Sequence, residues 1–558
     1  MHTLFLSFQI KKIVRFFKSK TLAKIITSSI FLGVLLFLAS GIYFFFFAAL
    51  RYIDFVIEEE LRLPITLFIY ENFLLIISFV ILFSSLIFGI FHLFRSKNDS
   101  WLIASPGFSI FPNFVFLQNM ASSAWPMFII FLPGMLAFTS FFSVTIFGFL
   151  AVTLSVVLLL VTITSFSLSL LVILGHLYYT LSKKISFITF NFKGYISILF
   201  LTFITFVYSV WNSLKDIDLV LLFKAEDISR VISLDEIGSY FRMLPSHPFA
   251  ELLLGLQSKS LGTAAWSLFA LSIYAMATFT LWLIVKKLYY PVWQRFQEGD
   301  EGGLSSDNSH NPFAAKTFLF TGGKTVALFK KEALVLSRNS KGIMWFLFLF
   351  LIWLAQIGSH IILEKNIQKN TPDLTTSLVI LESFEFLIAV YFICAFTLRF
   401  VFPSFSMEKK LVWFLGSAPI NFNKIFISKF IFYTALFSFI GLLMTSISSS
   451  VLALSIDHAL TTMILFISAT VFIVTLGLTL GALFPSLETD DPEIISTTMP
   501  GIFFTLISLI YGSLSTYILY QGLLAKTNSS VIIFSAFTLM ITAVLVLVTP
   551  KFAKKYLY

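Results

Sequence analysis

The feature that most constrains this chain is the recurrence of long apolar runs separated by short polar or basic segments. A run of about 20 apolar residues, rising about 1.5 Å per residue, crosses the hydrocarbon of a bilayer. Lipid offers no partner to an open backbone, so such runs must be helical. By that rule about twelve spans are expected, near 25–49, 67–94, 118–140, 145–178, 188–211, 263–285, 342–363, 377–402, 426–449, 459–482, 501–521 and 530–549. Composition agrees. The 558 residues are 58% hydrophobic and 12% charged, with a mean hydropathy of +0.94, whereas a soluble chain is about one quarter charged. The expected fold is an all-α polytopic membrane protein in the cell membrane, for which a bacterial cytoplasmic membrane is expected.

The charges carry topology. The net charge of +10 could suggest nucleic acid, but Lys and Arg flank the apolar runs instead, so no nucleic-acid partner is expected. With the N-terminus in the cytoplasm, about 28 of the 38 Lys and Arg fall in inner segments. Both termini are therefore expected in the cytoplasm. The basic start leads into an apolar run over 25–50. That run is too long for a signal-peptide core and is expected as the first span. The single cysteine, Cys394, lies in an apolar run and can neither pair within the chain nor build a metal set.

Two polar segments interrupt the pattern. Residues 213–262 are expected as an external loop with its own helices. Residues 288–328 include EGDEGGLSSDNSHNP, which reads as a flexible cytoplasmic linker near the chain midpoint. The flanking halves, 1–287 and 329–558, share landmarks in one order. A basic helix precedes the first span of each (QIKKIVRFFKSKTLAK at 9–24, LFKKEALVLSRNSK at 328–341). An acidic residue opens the second span: Glu71 in YENFLL, and Glu382 with Glu385 in LESFEFL. A Trp…Pro loop follows, WLIASPGFSIF at 101–111 and WFLGSAP at 413–419. Glu71 to Trp101 is 30 residues and Glu382 to Trp413 is 31. This predicts two parallel six-helix repeats, which in membrane proteins place a pathway at the interface between halves.

The second loop has helix chemistry. Pro419 stops the preceding helix and Asn421 is an N-cap. Phe422, Ile425, Phe426 and Phe430 recur at helical spacing, with Asn423, Lys424 and Lys429 elsewhere. A short amphipathic helix entering the next span is expected, able to act as a lever; an ordinary re-entry turn anchored by Trp413 is the competing reading. The first copy, with Trp101, Pro106 and Pro112, lacks the basic residues.

The run MEKKLVWFLGSAPINFNKIFISKF (407–430) resembles the cytoplasmic loop of ABC-2-type exporter permeases. LGLTLGALFPSLETDDPEIISTTMPGIFF (476–504) and FKKEALVLSRNSKGIMWF (329–346) are similar to further segments of that family. The resemblance implies a permease subunit of an ATP-driven ABC exporter. Its partner would be a separate ABC ATPase subunit in two copies, with ATP and Mg held on that partner and an unknown exported substrate. Trp101, Pro106, Trp413, Pro419, Asn421, Lys424, Phe426 and Lys429 would then form the ATPase-coupling loops. An ion-gradient-driven secondary transporter or channel is the alternative, and a membrane scaffold a third reading.

No catalytic set or metal site is expected. TGGKT (321–325) places Phe318 where a phosphate-binding loop needs its first Gly, so no nucleotide-binding motif is expected in the chain. The seven His are scattered, without a close ligand pair. SHPFAE (246–251) reads as a rigid turn, and ETDDPE (488–493) as a solvated turn or an acidic contact. Glu71, Glu382 and Glu385 are the ionisable residues inside expected spans, hence candidates for a pathway. Membrane lipid is the remaining expected partner.

Overall fold

The computed structural model describes residues 59–94, 111–124, 127–184, 242–294, 324–338, 342–350, 374–411, 422–451, 456–485, 498–525 and 529–557. It also describes scattered positions between 33 and 51 and between 194 and 205, together with 353, 357, 495 and 496. Among the described residues every regular element is helical. Eight helical stretches are long and apolar enough to cross a membrane: Phe73–Phe94, Ile146–Leu181, Leu261–Gln294, Glu382–Ser404, Phe422–Ser450, Ile456–Leu483, Met499–Leu524 and Ser529–Ala553. The chain is thus a helical membrane protein. The expected spans at 25–49, 188–211 and 342–363 lie only in part within the described residues. The chain divides into two compact units, one of Leu32–Ser309 and one of Met1–Phe31 with His310–Tyr558.

The unit within 32–309 contains α1 (Glu59–Phe94), α2 (Phe111–Ser123), α3 (Leu132–Phe141), α4 (Ile146–Lys184), α5 (Ser246–Gln257) and α6 (Leu261–Val285). The stretch expected as one span at 118–140 is built in pieces. After α2 comes a π turn at Met127–Phe131, and α3 begins with Pro133 in its first turn. Proline supplies no N–H to the carbonyl four residues back, which favours such a break. Helix α4 packs on α1, α2 and α6. Its hydroxyls at Thr162, Thr164, Ser165 and Ser169 donate to carbonyls four residues earlier. Polar groups inside a bundle are satisfied that way without an outside partner.

The second unit contains α7 (Lys324–Arg338), α8 (Leu374–Phe396), α9 (Phe422–Val451), α10 (Ile456–Leu483), α11 (Met499–Leu524) and α12 (Ser529–Leu557). Helix α10 is the hub, packing on α8, α9, α11 and α12. Thr479 on α10 shares a hydroxyl contact of 3.1 Å with Thr549 on α12. Helix α12 instead exposes Ile533, Phe537, Met540, Val544 and Leu547, an apolar stripe suited to lipid. Helix α8 does not end cleanly. It relaxes into a π turn at Thr397–Val401 and tight turns at Phe402–Ser404 and Ser406–Leu411, with Pro403 as the breaker.

Small residues set the closest approach. A Cβ at Gly481 would stand 2.2 Å from the Phe402 carbonyl oxygen. That atom is backbone and cannot swing aside, so α10 meets the turn at Phe402–Ser404 only because residue 481 lacks a side chain. Gly481→Val should therefore destabilise this unit by about 1–3 kcal/mol, the usual cost of overpacking. Thermal unfolding of the purified protein in detergent checks this, and an unchanged midpoint would contradict the packing.

Candidate functional site

The least expected group in the second unit is a buried lysine. Lys429 sits two turns into α9 and is 1% exposed. Burying an unpaired ammonium costs several kcal/mol, so partners must come to it. Glu332 on α7 reaches its Nζ at 2.8 Å, and Glu408 on the 406–411 turn at 2.9 Å. Lys331 then closes on Glu408 at 2.5 Å. Tyr433, one turn beyond Lys429, donates to the second oxygen of Glu332 at 3.1 Å. The Ser404 carbonyl accepts from Lys429 at 3.4 Å, and the Phe405 ring lies 5.1 Å beneath the ammonium. Two cations and two anions from three elements make one neutral clamp. Burial opposes the ionisation of Glu408, but Lys429 and Lys331 outweigh it and hold its carboxyl below the ordinary range.

The clamp changes the reading of the loop. Of the residues expected to couple to a partner, Trp101, Pro106, Trp413, Pro419 and Asn421 lie outside the described residues. Phe426 is fully buried and stacks on Phe405 at 6.3 Å. Lys429 turns inward as well. Lys424 alone among the described candidates is exposed. The reason is helical phase: Ile425, Phe426, Ser428 and Lys429 share the face that α9 buries. Among the described residues, α2 of the first unit has no such clamp. Its buried Asn119 donates to the Ser85 hydroxyl at 2.8 Å, and Asn113 accepts from Lys286 at 3.0 Å.

Each unit also buries a carboxylate against a histidine. In the first, Glu71 of α1 is 2% exposed and bonds His247 Nδ1 on α5. His247 Nε2 meets Glu251 at 3.2 Å, one turn along. Hydrogen bonds donated to Glu251 and then to Glu71 raise the His247 pKa to about 9 against the opposing effect of burial. The Glu251 carboxyl is lowered in return, chiefly by its bond to His247. In the second unit Glu382 accepts from Thr462 at 2.5 Å and lies 3.5 Å from His458 Nδ1. Glu385 is buried one turn on. One expectation is corrected here. SHPFAE is the first turn of α5 rather than a rigid turn, with Pro248 where its missing N–H costs nothing. Two of the histidines also have close acidic partners. His247 and Glu251, four residues apart, could have been read from helical spacing; His458 with Glu382 could not. Among the described residues no group of three or more His, Cys, Asp or Glu is placed to hold a metal ion.

A family model described as "Putative ATP-binding cassette" matches residues 19–550. The chain belongs to this family. No curated protein and no solved structure matches it. Membership in the ATP-binding-cassette family corrects the resemblance to ABC-2-type permeases. That resemblance was carried by Trp–Pro turns and basic pre-span helices, which many polytopic proteins need where a chain re-enters the interface. The family's description places ATP binding within the family itself. It therefore overturns the expectation of an exporter permease subunit without a nucleotide-binding motif. The confinement of ATP and Mg to a partner ATPase falls with it. The residues of TGGKT do not fit a standard phosphate-binding loop, because Phe318 stands six residues before Lys324 where glycine is needed. Residues 318–323 lie outside the described residues, so no side chain is assigned to nucleotide.

The His247 contacts generate a pH prediction. A histidine whose folded pKa is raised stabilises fully below its unfolded value of 6.5, and the contribution is lost as pH rises through about 9. The unfolding temperature of the purified protein should fall between pH 6.5 and 9.5, and His247→Gln should flatten that dependence. An unaltered slope in the variant would contradict the contact.

Proposed function

We propose that this chain is a multi-span membrane protein that relays motion from its basic interfacial helix α7 into its membrane core. The observation that carries this reading is the clamp formed by Lys429, Glu332 and Glu408, which ties α7 and the 406–411 turn to α9. An ion network buried inside three separate elements makes them move together, because parting any one strands a charge in a low dielectric. Family membership supports ATP as the energy source of the system, and no step is routed through the nucleotide.

We further propose twelve spans in two parallel six-helix halves, 1–287 and 329–558, joined by a linker over 288–328, with both termini in the cytoplasm of a bacterial cell. The placement of Lys and Arg and the repeated Glu-to-Trp spacing support this layout. The loops at 101–120 and 413–430 are then cytoplasmic contact surfaces. Lys424 of the second is exposed for a protein partner.

The relay can be tested in membrane vesicles from the host, so that every native component is present. With Cys394→Ala as background, Ser448→Cys reports on the end of α9 remote from Lys429. Mg-ATP should change its rate of maleimide labelling. The neutral variant Lys331→Met, Lys429→Met, Glu332→Gln, Glu408→Gln removes all four charges of the clamp together and strands none, so the fold is retained. In it the response to ATP should vanish while labelling without ATP persists. A missing response with the clamp intact, or an undiminished one in the neutral variant, would contradict the relay.

A further inference from the structure

The second unit contains a small polar cavity at the far end of α9 from the clamp. It is lined by Trp353, by Glu382 and Glu385 of α8, by Thr445 and Ser448 of α9 and by Thr462 of α10. It has about 20 Å³ of room for the centre of a water molecule, enough for a water or two and too little for an organic ligand. Both carboxyl groups are almost fully buried. Ionisable groups at such depth in a spanning helix are rare and costly without a purpose.

The hydrogens available at Thr462 show how Glu382 is held. The Thr462 hydroxyl oxygen lies 2.5 Å from Glu382 Oε1 and 2.9 Å from the His458 carbonyl oxygen. A hydroxyl has one hydrogen to give, whereas a carbonyl and an ionised carboxylate have none. With Glu382 ionised, Thr462 donates to it and the carbonyl contact is left without a hydrogen of its own. With Glu382 protonated, its O–H donates to Thr462, Thr462 donates to the carbonyl, and both contacts are satisfied. The other oxygen points the same way. Glu382 Oε2 is buried and makes no hydrogen bond, which an uncharged carboxyl tolerates far better than a carboxylate. The indole N–H of Trp353, 1% exposed in the same cavity wall, also has no hydrogen-bond partner among the described residues. One water answers both, accepting from the indole and donating to the carboxyl.

A route to the surface is present. His458 Nδ1 lies 3.5 Å from Glu382 Oε2, and the His458 side chain is 33% exposed. Asp457 of α10 is exposed beside it, and Glu385 is the other acid of the cavity. Helix α11 carries no charged residue, its titratable groups being tyrosines, and Lys429 of α9 is about five turns from Ser448. We infer that Glu382 is a proton-binding site, held by Thr462 and reached from the surface through His458. On uptake the Nδ1–H bond of protonated His458 breaks and an O–H bond forms on Glu382, so imidazolium and carboxylate become imidazole and acid. Nothing is oxidised or reduced. The site goes beyond the relay through the clamp and does not depend on it.

Infrared spectroscopy of the full-length protein in an ester-free detergent reads the proton, because a carboxylic acid and a carboxylate absorb at separate frequencies. At neutral pH, Glu382→Gln should remove one carboxylic-acid band. Thr462→Val leaves the carboxyl in place and should shift that band, which covers a failure of the first variant to fold. On transfer from H2O to D2O the band should move to its deuterated position, and His458→Gln should slow that move at least tenfold. Sodium should leave the band in place. If Glu382→Gln removes no such band, or Thr462→Val moves none, the assignment is overturned. Exchange at an unchanged rate in His458→Gln would overturn the route, and loss of the band on adding sodium would make the cavity a sodium site instead.

Discussion

Everything in the second unit turns on the placement of one ammonium group below the surface of a spanning helix. Lys429 cannot be withdrawn from water alone, and the cost of doing so recruits Glu332 from one side and Glu408 from the other. Those two contacts join α7 and the turn that follows α8 to α9. The π turn at Thr397–Val401 and the Pro403 break bring the 406–411 turn into range, and Gly481 leaves room for the turn against α10. Buried ion pairs of this sort add little to net stability compared with an apolar replacement. They do fix a single arrangement, because any slip leaves a charge exposed to hydrocarbon.

The two units solve a shared problem differently. Both carry a glutamate early in their second expected span, Glu71 and Glu382, and both oppose it with a histidine from another helix. The histidines occupy unrelated places in their units, at the start of α5 and of α10. At the opposite end of the spans the likeness breaks. The second unit has the charged clamp, whereas α2 of the first is held by amides, Asn119 on the Ser85 hydroxyl and Asn113 on the Lys286 ammonium.

Much of this architecture was legible in the sequence because hydrocarbon leaves few choices. Apolar length alone located the eight described spans to within several residues. Local breaks were harder to read, since a proline inside an apolar run can kink, bulge or end a helix, and 111–141 needed three pieces. At the candidate site, Glu71, Glu382 and Glu385 stood out as acids in apolar runs. The clamp did not. Lys331, Glu332 and Glu408 sit in segments rich in Lys, where a charge is expected to face water, and nothing local says that α7 folds onto α9. Lys429 was visible, but nothing local showed that it turns inward onto Glu332 and Glu408. Family assignment from loop patterns failed for a related reason: turns at the membrane interface obey general rules and discriminate poorly.

The most direct test of this account is a double-mutant cycle on Lys429→Met and Glu332→Gln, read as unfolding free energy in a fixed detergent. Lys429→Met alone should cost about 3–5 kcal/mol, because it leaves two buried carboxylates without their shared cation. Adding Glu332→Gln should recover at least about 1 kcal/mol of that loss, a coupling expected of residues in one network. Strictly additive effects, or a single substitution without measurable cost, would contradict the clamp.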